Sequence, residues 1–281
     1  RAYSDAIYSA LQQQVNPTVV LDLSDFCLGA CLASKLGASK IVSLEGRLDA
    51  DVVANFAQTN QSSISIAVCR AEQLTLEVIG GRAADVVVAE PYFEVLEGWH
   101  LQEALNLYNT IRHLKSKSVV KPDARIVPSW CRIVGVLIQS NQLNAAYTAC
   151  DSIRGFNHAS ANRAGARFHD LSLPMFQYDY TTLCDTIELG YLDFQHLDGS
   201  VTETTVRMAT TAPGRCDALL VWLEYSYFVI NDRYHRQSVR MLEHSKVVTA
   251  GDEFIVTSKI GGINGGLEDH TFNTQFIVVD G

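Results

Sequence analysis

The feature that most constrains this chain is a change of sequence pattern near its middle. The first half alternates short runs of β-branched and aliphatic residues with helical periods of apolar residues, whereas the second half carries successive stretches in which polar and apolar residues alternate. Strands that alternate with helices are typical of a parallel α/β sheet, and successive alternating stretches are typical of antiparallel strands. We therefore predict an α/β domain at residues 1–150 and an all-β domain at residues 151–281.

The first domain is predicted to be a doubly wound, Rossmann-like sheet. Its strand runs are almost continuously apolar, which indicates burial on both faces, and Gly37 is a helix stop signal. The predicted helices cover residues 1–14, 28–36 and 101–114, and the predicted strands cover residues 18–22, 40–44, 63–69, 84–89, 125–127 and 131–138.

The second domain is predicted to be antiparallel, because glycine-bearing connections at 213–214 and 261–266 suit the positive φ of hairpin turns. Residues 152–174 are rich in Ala, Asn, Arg and Gly and fit neither domain, so we expect a linker, an arm or a loop there. The predicted strands cover residues 186–194, 201–209, 218–230, 237–242, 253–260 and 274–279.

Composition and charge restrict the partners and the compartment. The net charge of −9 disfavours nucleic acid and suits a cationic partner, although an acidic surface can also serve solubility alone. Because no apolar run approaches about 20 residues and the first residues lack a signal-peptide core, we expect a soluble protein of the cytoplasm or nucleus with no membrane partner. The first residue is Arg rather than Met, and we expect the chain to be part of a longer protein.

The seven cysteines form no CxxC pair and no Cys/His cluster with zinc spacing. We interpret them as free thiols in a reducing compartment and predict no metal site. Cys27 and Cys31 form the one close pair, and their apolar surroundings favour core packing over metal binding.

The first strand-to-helix turn, residues 22–29, is where a doubly wound sheet would hold a nucleotide. Such a turn usually has several glycines, but this one has a single late glycine, and Asp25 and Phe26 add charge and bulk. This pattern predicts a closed pocket. Glu45, which ends the second strand, is either an acceptor for ribose hydroxyls or a solvated surface residue.

The run formed by residues 20–22 and 36–45 resembles the first two strands of protein arginine methyltransferases, and residues 85–93 and 120–128 resemble two later segments of that family. Residues 191–194, 219–228, 236–239 and 250–253 are similar to successive strands of the family's β-barrel. The resemblance is closest to the second module of the tandem, monomethylating (type III) branch.

The resemblance implies an S-adenosyl-L-methionine-type Rossmann domain followed by a β-barrel-like domain, arginine-rich protein substrates, and a dimerisation-arm-like insertion near 152–174. It places the cofactor contacts at Asp22, Ser24, Glu45 and Glu72. It also places Glu90 as the first glutamate of the acidic hairpin that holds a substrate guanidinium.

The chain departs from the family pattern in the same regions. Trp99 stands where the second hairpin glutamate belongs, while Glu94 and Glu97 are out of register. Tyr234 replaces the family's active-site histidine, and His235 is displaced by one position, which in a strand turns a side chain to the other face. The resemblance and these departures together predict a degenerate module that docks onto an upstream catalytic module of the same protein.

Two alternatives remain at this point. One is a divergent but active methyltransferase in which Asp25 and Glu94 or Glu97 take over the lost contacts. The other is a nicotinamide oxidoreductase, which suits the first half but neither the all-β second half nor the sparse glycines. A serine or cysteine hydrolase is disfavoured because no GxSxG motif is present.

Overall fold

The structure is a computed structural model of the chain. It describes residues 2–14, 18–24, 27–44, 50–60, 62–90, 100–147, 152–158, 171–197, 203–230, 236–260 and 275–280. Within these ranges, no helix is both long enough and apolar enough to span a lipid bilayer.

The first half forms the predicted parallel sheet, and the structure shows its strand order to be β3-β2-β1-β4-β5. The strands are β1 (Val19–Asp22), β2 (Lys40–Leu44), β3 (Ser65–Ala67), β4 (Ala84–Val88) and β5 (Val120–Val127). The helices are α1 (Ala2–Gln12), α2 (Leu28–Lys35), α3 (Ala50–Thr59), α4 (His100–Ser116) and α5 (Asn141–Tyr147).

The strands of this sheet are buried on both faces because apolar side chains alternate between two layers. Val20, Ile41 and Val86 pack with α1, α2 and α3 in one apolar cluster. Their neighbours along the strands, Leu21 and Val87 among them, pack with α4 in a second cluster that continues into the other domain. Helices therefore cover both faces, which is the doubly wound arrangement.

The second half is antiparallel and forms two sheets. The larger has the path β10-β6-β13-β15-β9 with β11 on β6 and β14 on β13, and the smaller has the order β12-β16-β17. Its strands are β6 (Trp130–Gln139), β9 (Leu171–Leu173), β10 (Thr181–Thr182), β11 (Ile187–Asp193), β12 (Glu203–Ala209), β13 (Gly214–Tyr225), β14 (Phe228–Ile230), β15 (Gln237–Val248), β16 (Glu253–Lys259) and β17 (Gln275–Asp280).

Two strand predictions are wrong. Residues 131–138 were predicted in the parallel sheet, but β6 pairs antiparallel with β11 and β13. Apolar runs of this kind fit a central strand of either sheet, so local pattern does not decide the partner. Residues 218–230 were predicted as one strand, but a turn at Ser226 and Tyr227 folds them into the β13–β14 hairpin. The domain boundary at residue 150 remains a prediction.

The segment 152–174 is partly ordered into strands. A small hairpin joins β7 (Ser152–Ile153) to β8 (Phe156–Asn157), and β9 at its end pairs with β15. Residues 159–170 lie outside the described residues. The first part of this segment is thus a projecting hairpin, and its last part belongs to the antiparallel sheet.

The turn that follows β11 joins the two halves. The Lys115 amine donates to the carbonyl of Gln195 at 2.7 Å, and the Gln195 side chain accepts from the Ile126 amide at 3.1 Å. The Tyr108 hydroxyl donates to the carbonyl of Leu197 at 2.9 Å. Because these bonds join α4 and β5 to a loop of the other domain, they fix the position of the antiparallel domain beside the parallel sheet.

Candidate functional site

The strand order places two acidic residues at the point where ligands bind in doubly wound sheets. The order reverses direction between β1 and β4, and ligands lie outside the carboxyl ends of the strands at such a reversal. Asp22 is the last residue of β1 and pairs with Val88, the last residue of β4. Glu90 follows two positions later and is half-buried. The fold thus brings the first cofactor candidate and the first hairpin glutamate to one edge.

The carboxylate of Asp22 is used within the β1–α2 turn. Asp22 is fully buried, and its Oδ1 accepts from the Ser24 amide at 3.0 Å and the Ser24 hydroxyl at 2.5 Å. Its Oδ2 accepts from the amide of Ala30 at 2.5 Å, in the first turn of α2. A carboxylate there satisfies an amide that has no partner within the helix and interacts favourably with the helix dipole. The geometry therefore commits this carboxylate to closing the turn.

Ser24 is equally enclosed, with about one per cent of its surface exposed. The amide of Leu23, beside it, donates to the carbonyl of Val88 at 2.8 Å. A nucleotide-binding turn instead directs amides and small residues toward the ligand. The described part of this turn directs the amides of Leu23, Ser24 and Ala30 inward, to acceptors within the fold. Asp25 and Phe26 lie outside the described residues.

The late glycine of the turn, Gly29, has a packing role. A Cβ on Gly29 would lie 2.7 Å from Val88 Cγ1 and 2.9 Å from Asp22 Oδ1. Both distances are too short for a side chain, so the absence of one lets α2 approach β1 and β4 closely. In dinucleotide-binding turns one glycine serves close helix–strand packing and others serve the approach to the ligand. Gly29 performs the packing role.

Glu90 lies where three elements meet, which sequence analysis did not predict. The hydroxyl of Tyr3 in α1 donates to the carbonyl of Ala89 at 2.9 Å. The ring of Tyr3 packs against the ring of Tyr227, with centroids 5.8 Å apart. Tyr227 belongs to the β13–β14 turn, so the N-terminal helix and the antiparallel domain both border the backbone that carries Glu90. No local signal in the sequence pairs residues so distant.

Of the remaining predicted residues, Glu72 lies within the described ranges and the others do not. Glu72 lies in a 3₁₀ turn after β3 and has an exposed side chain, and its carbonyl accepts from Lys117 at 3.1 Å. Glu72 thus follows β3, the edge strand that is two strands away from β1 in the sheet. Glu45 lies outside the described residues, as do the hairpin positions Glu94, Glu97 and Trp99 and the loop residues Tyr234 and His235.

Nucleophilic chemistry is not favoured at this edge. Cys69 lies two residues beyond β3, and burial raises its pKa, which favours the protonated thiol. Cys27 and Cys31 lie in the core beneath α2. Across the ranges that the structure describes, no group of three or more potential metal ligands is found. The described edge carries two of the predicted acids, the enclosed Asp22 and the half-buried Glu90.

Comparison with known proteins identifies proteins that are similar to this chain. No family model matches the chain. Protein arginine N-methyltransferase 7 of Danio rerio is 26% identical over 235 residues, which are 79% of this chain and 34% of that protein. The mouse protein of the same name is 24% identical over 238 residues, 79% of this chain and 33% of that protein. The chain therefore spans about a third of the length of these relatives.

Two further similarities extend the family beyond that branch. Arginine N(omega)-methyltransferase of Streptomyces achromogenes subsp. streptozoticus is 26% identical over 227 residues, 78% of this chain and 60% of that protein. A solved structure, the Trypanosoma brucei PRMT1 enzyme–prozyme heterotetrameric complex with AdoHcy, matches with a TM-score of 0.68 at 16% identity. The match covers 99% of this chain and 92% of that chain, so both domains share one known fold. The chain is therefore similar in sequence to curated arginine methyltransferases, and it shares the fold of the solved PRMT1 complex.

Proposed function

We propose that this chain is a module of a protein arginine N-methyltransferase that has itself lost turnover and acts as the pseudo-dimer partner of an upstream catalytic module. Methyl transfer to arginine needs a bound sulfonium donor and carboxylates that hold the guanidinium in line with it. The observation that carries the proposal is the closed β1–α2 turn, in which the carboxylate of Asp22 and the hydroxyl of Ser24 are both buried and bonded to each other.

A docking role is supported by exposed apolar side chains in two regions. On the helical face of the α/β domain, Tyr8, Leu28 and Val52 are about half exposed. On the β7–β8 hairpin, Ile153 is 48% exposed and Phe156 is 74% exposed. Large apolar side chains cost free energy in water, and groups of them commonly mark contact surfaces. In the proposed pairing, the β7–β8 hairpin of one module and the helical face of the α/β domain would form the contact between modules.

The loss of donor binding is tested on the chain by itself. Titration with S-adenosylmethionine in a calorimeter is expected to show no binding, and an arginine-rich peptide is expected to stay unmethylated. Micromolar donor binding would contradict the proposal and favour a divergent active enzyme. In that case Glu90→Gln should reduce the rate by orders of magnitude, whereas in an inactive module the same substitution should change only stability.

The docking role is tested in the full-length parent protein. Phe156→Asp should lower the parent's methylation rate and thermal midpoint, because it places a charge in the proposed contact between modules. The matched control is Val247→Asp on β15, whose side chain is 80% exposed and lies in neither region. Equal effects of the two substitutions would exclude the β7–β8 hairpin as a docking element.

The compartment is part of the same proposal. Six described cysteines are free thiols, and five of them are buried. Free thiols are favoured in a reducing environment, so we place the module in the cytoplasm or nucleus. Fractionation of cells that express the tagged parent protein would test this placement.

A further inference from the structure

Strands β6, β11 and β13 carry aromatic and charged side chains close together on one face of the antiparallel sheet. Tyr191 on β11 pairs with Arg132 on β6, Asp193 on β11 pairs with Trp130, and Glu224 on β13 also pairs with Arg132. Residues directly opposite in an antiparallel pair point to the same side of the sheet. These five side chains therefore share one surface, which we call the aromatic–carboxylate face.

The chain already holds one guanidinium on this face. The Arg132 guanidinium carbon lies 5.5 Å from the centroid of the Trp130 ring, and its Nη2 lies 2.5 Å from Glu224 Oε2. The Trp130 ring is in turn stacked on Tyr191, with centroids 6.1 Å apart and planes at 29°. An indole face beside a carboxylate is a favourable setting for a guanidinium, through cation–π attraction and a charge-assisted hydrogen bond.

One further carboxylate, that of Glu188, borders the face in addition to Glu224, which holds Arg132. Glu188, exposed on β11, and Asp193 flank Tyr191, and burial together with these two carboxylates raises the pKa of the Tyr191 hydroxyl. Lys115 donates to backbone carbonyls, and Asp193 accepts from the amides of Gln195 and His196, so Glu188 is the carboxylate that the surface beside Tyr191 offers to a ligand. The surroundings of Tyr191 therefore favour a further positive charge.

The face is also continuous with the candidate site. The carbonyl of Trp130 accepts from the amide of Ser226 at 3.2 Å, and Tyr227, the next residue, packs against Tyr3 beside Ala89. The β13–β14 turn and α1 therefore connect the end of the face to the backbone that leads to Glu90.

We propose that the aromatic–carboxylate face, with Glu188, is a docking site for an arginine side chain of a cationic protein segment, separate from the acidic hairpin that begins at Glu90. The inference extends the proposed function by naming where an arginine-rich protein is held on a module that does not methylate it. It does not depend on donor binding, so peptide binding and donor binding can succeed or fail independently.

The test is fluorescence anisotropy of the purified chain with a short labelled peptide of alternating glycine and arginine, compared with the matched lysine peptide. The arginine peptide should bind more tightly and lose affinity as salt rises. Tyr191→Ala and Glu188→Gln should each weaken binding about fivefold, an effect of the size expected for exposed cation–π and ionic contacts. Glu203→Gln is the control, since it removes the same charge from an exposed position on β12, where Glu203 pairs with Lys259 at 3.5 Å.

A variant that binds the arginine peptide more tightly distinguishes the proposal from a loss of binding caused by misfolding. Arg132→Gln removes the guanidinium already in place and should tighten binding of the arginine peptide about fivefold, because Trp130 and Glu224 become available. The proposal is overturned if lysine and arginine peptides bind equally or if Arg132→Gln weakens binding. It is also overturned if sedimentation shows a dimer of this chain that Tyr191→Ala disrupts, since the face would then be a contact between copies.

Discussion

Substitution of Gly29 by alanine is the sharpest test of the closed turn. Alanine should favour the helix by about 1 kcal/mol, because glycine has the greater conformational entropy to lose. Against this, the new Cβ would lie 2.7 Å from Val88 Cγ1 and 2.9 Å from Asp22 Oδ1. Overpacking in a core costs about 1–3 kcal/mol, and displacing the Asp22 carboxylate weakens charge-assisted bonds that contribute about 1.5–3 kcal/mol.

The net expectation is that Gly29→Ala lowers the free energy of unfolding by about 2–4 kcal/mol, as measured by urea denaturation. Lys35→Ala, at an exposed position of the same helix, is the control and should change stability by less than about 0.5 kcal/mol. A Gly29→Ala protein as stable as the wild type would show that α2 can move away from β1 and β4 at little cost. The account of the turn as a closed, tightly packed unit would then be wrong.

Three further predictions concern the rest of the fold. Asp217→Ala should cost about 1–3 kcal/mol of unfolding free energy in urea, because it removes the buried acceptor of the Ser140 amide and one of the acceptors of Arg215, which also donates to Asn141. Burial would raise the pKa of Asp193, but hydrogen bonds from the following turn outweigh burial and lower that pKa. Asp193→Asn should therefore destabilise the protein at neutral pH, and this destabilisation should disappear as the pH falls below about 4. Gln195→Ala should speed hydrogen exchange of the Ile126 amide, which donates to that side chain at 3.1 Å, and an unchanged rate would refute the role of this loop at the junction.

The closed turn also explains why the family resemblance and the chemistry of the described site diverge. The chain keeps the glycine that packs α2 against the sheet and keeps an acid at the end of β1. Packing requires both, whether or not a ligand binds. Both residues therefore contribute to the stability of the turn independently of any ligand.

The sequence by itself determined the elements whose signal is local. The apolar strands of the first half, the helix that ends before Gly37, and most strands of the second half follow from period and composition, because a strand or helix buried on known faces leaves a repeating pattern. The same local pattern indicated the first strand-to-helix turn as the place where a site belongs, and the family resemblance added Glu90 after β4.

Only the tertiary structure decided what these residues contact. Strand β6 pairs with β11 and β13 in the antiparallel sheet. These partners lie far along the chain, so the sequence of β6 alone carries no information about the pairing. The contact of Tyr3 with Tyr227, the enclosure of Asp22 by Ser24 and Ala30, and the common surface of Trp130, Tyr191 and Glu224 were decided in the same way. Local periodicity determines which face of a strand or helix is apolar. The tertiary fold determines which side chains from distant segments lie together on that face.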